Sequence, residues 1–152
     1  MFSGSSEHII DDKGRIVLPV RFRSGLGRDF VITRGIGPCL FVLPLTIWNQ
    51  DVVQLVENRP LDDENAARLT RFFFSEAQMY SNCDAQGRIS LSAPLREHAI
   101  ITENSTVMIA GVYSRIELWS YSEWRHLVNQ SSCVDDIVQV ASILNLSTTT
   151  DF

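Results

Sequence analysis

The stretch from Asp11 to Arg23, Asp-Asp-Lys-Gly-Arg-Ile-Val-Leu-Pro-Val-Arg-Phe-Arg, has a second copy of its skeleton in the other half of the chain. Shifted by 73 positions without a gap, Asp11, Gly14, Arg15, Ile16, Leu18 and Arg23 fall on Asp84, Gly87, Arg88, Ile89, Leu91 and Arg96. Asp at the first place and Gly at the fourth is the pattern of a type I β-turn, in which the carboxylate accepts a backbone N–H and glycine supplies positive φ. Ile16-Val17-Leu18 then reads as a strand leaving the turn. Pro19 ends it and opens a short helix, because proline lacks a ladder donor and fits a first helical position. Each copy is thus expected to be a hairpin whose tip carries Arg15 or Arg88.

The repeat runs further. At an offset of 76, Val31 and Gly35 match Val107 and Gly111, and Leu40-Phe41-Val42-Leu43 with Trp48 match Ile116-Glu117-Leu118-Trp119 with Trp124. The drift between the two offsets puts a small insertion at about 97–106, where a loop absorbs length cheaply. Each half reads strand, turn, strand, short helix, strand, loop, strand, helix. In the first half the short helix stops near Gly25 or Gly27, Phe30–Thr33 and Leu40–Leu43 are strands, and Thr46 caps a helix through Asn58 with Trp48, Val52, Leu55 and Val56 on one face. A further helix spans about 61–77, with Asp62, Asp63 and Glu64 at its start and Ala66, Leu69, Phe73 and Ala77 on one face. Its Phe72-Phe73-Phe74 run reads as core or subunit packing, with a ligand site as the lesser alternative. In the second half Thr106–Gly111 and Arg115–Trp119 are strands, and Ser122 caps a helix with Trp124, Leu127 and Val128. Val134–Leu146 is a weaker final helix, followed by a frayed Thr148-Thr149-Thr150 end. The expected organisation is one two-repeat domain over 1–130, with repeats at about 1–58 and 76–130, and a tail at 131–152. Neither half has enough strands to close a core alone, so the repeats are expected to share one barrel.

A chain of 152 residues with 45% hydrophobic content can bury a core without disulfides or metal. Cys39, Cys83 and Cys133 lack metal or disulfide spacing, which fits a reducing, cytoplasmic setting. Neither a leader pattern nor an apolar run of membrane-spanning length is visible. His8, His98 and His126 are scattered, and no G-x-S-x-G or phosphate-cradling loop is present, so no catalytic residue, metal site, cofactor or small-molecule substrate is expected. Asp11 and Asp84 could form a shared-proton carboxylate pair, but the arginine after each turn glycine favours ionisation of both.

The net charge is −5, yet residues 1–34 hold six basic against four acidic side chains, and twelve of the thirteen basic residues are arginine. Arginine suits bidentate contacts to phosphate and guanine, and a two-stranded β-ribbon fits the major groove. Two readings stay open on the residues alone. Lys13, Arg15 and Arg88 contact DNA, or the motifs are structural turns in which Asp11 pairs with Arg15 and Asp84 with Arg88.

At these motifs the chain resembles the MraZ family of bacterial regulators. The resemblance rests on Met1-Phe2-x-Gly4, Asp11-x-Lys13-Gly14-Arg15 with Leu18-Pro19, Asp84-x-Gln86-Gly87-Arg88 with Leu95-Arg96-Glu97-His98-Ala99, and Glu117-Leu118-Trp119 with Trp124. It covers about residues 1–130. Position 3 is Ser where members often have Arg, and Ser92 stands opposite Pro19, with proline following at Pro94. The resemblance implies an α+β fold, an AbrB-like swapped-hairpin β-barrel built from two repeats with flanking helices, and subunits assembled into a ring. It further implies a nucleoid-associated transcriptional regulator that binds repeated double-stranded DNA elements upstream of the division and cell-wall gene cluster. Carried onto this chain, the DNA-facing residues are Lys13, Arg15, Gln86 and Arg88, with Asp11, Gly14, Asp84 and Gly87 shaping the turns. The alternative is a protein-binding, antitoxin-like module on the same barrel.

Overall fold

The computed structural model describes residues 1–131 and 134–144. Residues 1–121 form one compact unit and the segment from Ser122 onward another. In the first unit the chain runs β1 (Ser5–Ile9), β2 (Arg15–Val17), α1 (Val20–Leu26), β3 (Asp29–Arg34) and β4 (Cys39–Pro44). Helical turns follow as α2 (Leu45–Ile47), a π-helical segment (Trp48–Val53) and α3 (Gln54–Val56), then α4 (Glu64–Phe74). The second copy supplies β5 (Gln78–Ser81), β6 (Arg88–Ser90), α5 (Ala93–Ala99), β7 (Thr106–Val112) and β8 (Arg115–Ser120). α6 (Tyr121–Ser131) and α7 (Val134–Ile143) close the described chain. Corresponding elements of the two copies keep the offsets seen in the sequence, and the extra residues of the second copy lie in the Ile100–Ser105 loop before β7.

The fold is α+β, with a six-stranded antiparallel sheet in the order β1-β7-β8-β4-β3-β5 and a separate two-stranded ribbon, β2-β6. The expected closed barrel is not what forms. β1 and β5 are opposite edges of the large sheet, and the ribbon is not part of its ladder. Nor is either motif copy a paired hairpin: β1 pairs with β7, β5 with β3, and β2 with β6. The reason lies in the pattern of burial. Five consecutive pairs, Ser5↔Ala110 to Ile9↔Thr106, hold β1 to the other copy's strand, and Ile10 N–H extends that association to the Ser105 carbonyl at 3.1 Å. β2 is left to meet its own equivalent, which sets Ile16 directly opposite Ile89, both fully buried. A hairpin closed within one copy would not have brought these two side chains together.

One apolar core spans both copies, including Ile10, Ile16, Leu18 and Phe22 from the first and Ile89, Leu91, Leu95 and Ile116 from the second. Burying such side chains contributes about 1.5–3 kcal/mol each. Trp48 and Val52 are buried on the π-helical segment while Leu55 is half exposed, so the widened turn rotates the expected face. Thr46 is not the cap: the helix begins at Leu45 after Pro44, without a side-chain hydrogen bond. In α4 the cap is Asp63, which accepts from Ala66 N–H at 3.1 Å. Ala66 and Phe73 are buried, whereas Leu69 is exposed and Ala77 lies past the helix end. The three phenylalanines point to different partners. Phe73 is buried, Phe74 packs on Trp48 with ring centroids 4.8 Å apart, and Phe72 meets His98 and the Arg34 guanidinium. Each ring thus has a partner within the chain, while Phe72 and Phe74 stay partly exposed. Glu117 is buried and satisfied, accepting from Arg115 at 2.7 Å and from Trp119 Nε1–H at 3.0 Å.

α6 begins at Tyr121, the last residue of the first unit, rather than after a Ser122 cap. On α7, Ile137, Val138, Val140 and Ile143 are exposed, as is Leu144 after it. The expected final helix thus forms over Val134–Ile143 with these apolar side chains exposed. Cys133, Leu146 and the Thr148–Thr150 end lie outside the described residues.

Candidate nucleic-acid interface

Both Asp-x-x-Gly-Arg segments fold into the same turn. In the first, Asp11 Oδ1 accepts from Lys13 N–H at 2.9 Å and Arg15 N–H at 2.8 Å, and Gly14 N–H donates to the Asp11 carbonyl at 3.2 Å. In the second, Asp84 Oδ1 accepts from Gln86 N–H at 2.9 Å and Arg88 N–H at 2.8 Å, and Gly87 N–H donates to the Asp84 carbonyl at 2.9 Å. Gly14 and Gly87 sit at φ 74° and 76°, the left-handed region that an L side chain enters only with strain. These are local bonds, made by residues two to four apart, which is why a short motif suffices to specify them.

The second carboxylate oxygen of each Asp holds the following arginine. Arg15 Nε–H donates to Asp11 Oδ2 at 2.8 Å, and Arg88 Nε–H to Asp84 Oδ2 at 2.7 Å. Both carboxyls lie below the ordinary carboxylate value, chiefly because the backbone N–H of Arg15 or Arg88 binds the charged form; desolvation opposes this, and the arginine side chain adds to it. Each aspartate is therefore ionised on its own turn, which is the opposite of a shared-proton pair.

The ion pairs leave the far ends of the guanidinium groups. The Arg15 and Arg88 side chains keep 30% and 28% exposure. Arg15 Nη1 and Nη2 have no partner among the described residues, whereas Arg88 Nη2 donates to Gln86 Oε1 at 3.3 Å. Lys13 and Gln86 are exposed beside the two arginines. In the ribbon Arg15 stands opposite Ser90 and Arg88 opposite Val17, on either side of the buried Ile16/Ile89 pair. Strand side chains alternate, so both arginines project from the outer face while the isoleucines face the core. Strand rise and spacing put their Cα atoms about 8–9 Å apart along the ribbon's diagonal.

The family model described as "MraZ protein, putative antitoxin-like" matches this chain twice, over residues 1–72 and 73–139. The chain belongs to the MraZ family. The two matches meet near the end of α4, so each contains one turn. Among curated relatives, "Transcriptional regulator MraZ" of Pelotomaculum thermopropionicum is 40% identical over 147 residues, covering 96% of this chain and 99% of its own length. The protein of the same name from Limosilactobacillus fermentum is 41% identical over 142 residues, covering 93% and 95%. That from Moorella thermoacetica is 42% identical over 134 residues, covering 87% and 90%.

Within this MraZ fold, two residues of the surface around the turns carried no assignment from sequence. Arg96 lies against Gly14 and Arg23 against Gly87, each from the opposite copy. The signal was in the repeat, since Arg23 and Arg96 are equivalent positions, but only the crossed pairing gives it meaning. Tyr80 is a further addition: its hydroxyl accepts from Ser90 N–H at 2.7 Å and donates to the Ser90 carbonyl at 2.8 Å, filling the outer edge of β6. Among the described residues no helix is long and apolar enough to cross a membrane, and no cluster of three metal-ligating side chains occurs.

Proposed function

We propose that this chain is a transcriptional regulator that binds double-stranded DNA in a sequence-specific way through the Asp11–Arg15 and Asp84–Arg88 turns. The observation that carries the reading is the pair of arginines on one ribbon face, each fixed at Nε by its own aspartate. Such a clamp lowers the entropy lost on binding and turns the Nη edge into a preset donor for phosphate or a guanine edge. Curated relatives named as transcriptional regulators support the regulatory role. The ribbon is narrow enough for the major groove, and an arginine spacing of about 8–9 Å corresponds to roughly two to three base-pair steps at 3.4 Å per step. Lys13 and Gln86 flank the arginines as phosphate or base-edge partners.

The exchange of strands between copies supports the swapped-hairpin description of the fold, with the two motif copies in one two-repeat domain over about 1–130 and a tail beyond it. The proposed site on the DNA is a set of repeated elements upstream of the division and cell-wall gene cluster, bound by a ring of subunits at the nucleoid in the cytoplasm. Multivalency is what an acidic chain with two or three basic tips needs. Each neutralised phosphate contributes a salt slope of only about −0.9, whereas linked sites gain roughly 10² to 10⁴ in avidity. No enzymatic step belongs to this reading.

A second reading, a protein-binding antitoxin-like module, draws on the exposed Ile137, Val140, Ile143 and Leu144. A gel-shift with the duplex immediately upstream of this chain's own coding sequence, at stated salt, separates the two. The DNA reading expects a shift that survives excess scrambled duplex and weakens steeply with salt. Equal competition by scrambled duplex would sink it.

A further inference from the structure

We propose that Arg96 positions the first turn and Arg23 the second, so that the arginine by which each repeat reads DNA is held in place by the other repeat. The DNA part rests on the function proposed above; the crossed support rests on geometry alone. A Cβ placed on Gly14 would come within 3.1 Å of Arg96 Nε and 3.3 Å of its Cζ, and within 3.1 Å of the Leu91 carbonyl oxygen. Arg96 Nε–H donates to that same carbonyl at 3.1 Å, while Leu91 N–H donates to the Gly14 carbonyl at 2.8 Å. The Gly14 peptide is thus pressed between the Leu91 backbone and the Arg96 guanidinium, both from the second copy. The mirror arrangement holds at the other turn. A Cβ on Gly87 would clash with the Arg23 guanidinium, with Cζ at 2.6 Å and Nε at 3.0 Å, and Leu18 N–H donates to the Gly87 carbonyl at 3.0 Å.

The placement gives glycine a second reason to stand at these positions. Beyond positive φ, only a residue without a side chain lets a guanidinium lie this close to the turn. On the far side of the same peptide run Asp11 binds the Arg15 N–H and Nε–H, so the chain Arg96, Gly14, Asp11 and Arg15 is one connected stack. Shifting its base shifts the tip by a comparable distance, and donor geometry at a base edge tolerates little of that. The two braces are not equal. Arg96 Nε has its carbonyl partner, whereas Arg23 Nε is buried without a hydrogen bond. Replacing a buried, unsatisfied donor by an apolar group of similar shape costs little, so the Arg96 brace carries the larger share.

The test uses the full chain with Arg96→Met, Arg23→Met and Arg96→Lys, each checked for an intact melt. Amide hydrogen exchange reads the turns without DNA. Arg96→Met is expected to speed exchange at Gly14 and Arg15 by about tenfold while leaving Gly87 and Arg88 near wild type, and Arg23→Met to do the reverse more weakly. Loosening of the turn in the mutated repeat itself would overturn the proposal. Affinity for the upstream duplex is then measured. Arg96→Met adds no further loss to Arg15→Ala but adds its full loss to Arg88→Ala. Additivity with both would overturn the route through Arg15. Arg96→Lys retains the charge but not the planar fork, so it behaves as Arg96→Met; recovery of wild-type affinity by lysine would mark a phosphate contact and overturn positioning. Crossed exchange effects, together with a duplex bound equally by wild type and Arg15→Ala, would leave the brace standing and remove the DNA role of the turns.

Discussion

The crossing of β2 and β6 makes Ile16 and Ile89 the centre of the fold, and truncating them tests whether the two repeats share a core. Both side chains are essentially inaccessible, at 0% and 1% exposure, and they face each other in the ribbon. Ile→Ala at such a site removes buried methyl groups and leaves a cavity, at a cost of about 2–5 kcal/mol. For a chain of this size a loss of about 3 kcal/mol lowers the melting midpoint by roughly 6–12 °C. Ile16→Ala and Ile89→Ala should cost similar amounts because the two sites are equivalent by the pseudo-dyad. The double variant is the sharper test. Each deletion removes partner atoms of the other side chain, so the double should fall short of the sum by about 0.5–3 kcal/mol. Urea or thermal unfolding of the four proteins supplies the cycle. Additivity within about 0.5 kcal/mol, or a single cost below about 1 kcal/mol, would refute a shared centre.

Arg15→Ala should weaken binding to the upstream duplex more than Arg88→Ala, by roughly 1–3 kcal/mol where it meets a guanine, because Gln86 already occupies one Arg88 donor. Affinities across a salt series check this, and an equal or reversed order would contradict it. The carboxyls of Asp11 and Asp84 are lowered in the fold, so their stabilisation is complete above the ordinary value of 3.8 and is lost as pH falls through the lower folded value. Between about pH 5 and pH 2 an Asp11→Asn, Asp84→Asn double variant should therefore lose less stability than wild type, read from melts at each pH. Cys39 is buried and its thiol is pushed up to about 12, by desolvation first and by Glu117 second, with Arg115 opposing. Native alkylation near neutral pH followed by mass spectrometry should leave Cys39 unmodified until the chain is unfolded.

The parts of this fold that sequence reveals are those specified over a few residues. The Asp-x-x-Gly-Arg turns need only bonds between positions two to four apart, and Phe30–Thr33, Leu40–Leu43 and Thr106–Gly111 carry enough β-branched or apolar character to be read as strands. The repeat also located the insertion correctly, in the Ile100–Ser105 loop. Partner choice was not legible. β1 leaves its own turn to pair with β7 and β2 pairs with β6 over the buried Ile16/Ile89 contact, long-range choices that no local pattern encodes, and with them went the expected hairpins and closed barrel. Thr46 looked like a cap because its chemistry suits one, but the Pro44–Leu45 junction starts the helix first. The phenylalanine run reads as core or subunit packing, and Phe73 is indeed buried, but the partners of Phe74 and Phe72, namely Trp48, His98 and Arg34, come from distant parts of the chain that a local pattern cannot name. At the candidate site, Arg15 and Arg88 could be named from the motif, while Arg23 and Arg96 acquire a role only once the repeats are crossed.

The most direct test is the ratio of affinities for the upstream duplex and a scrambled duplex of equal length, at fixed near-physiological salt, for wild type and the Arg15→Ala, Arg88→Ala double variant. A specific regulator reading bases through these turns should show a wild-type ratio of at least about 10³ that collapses towards one in the double variant, with the melting temperature little changed. A wild-type ratio near one, or a ratio that survives loss of both arginines, would contradict the account.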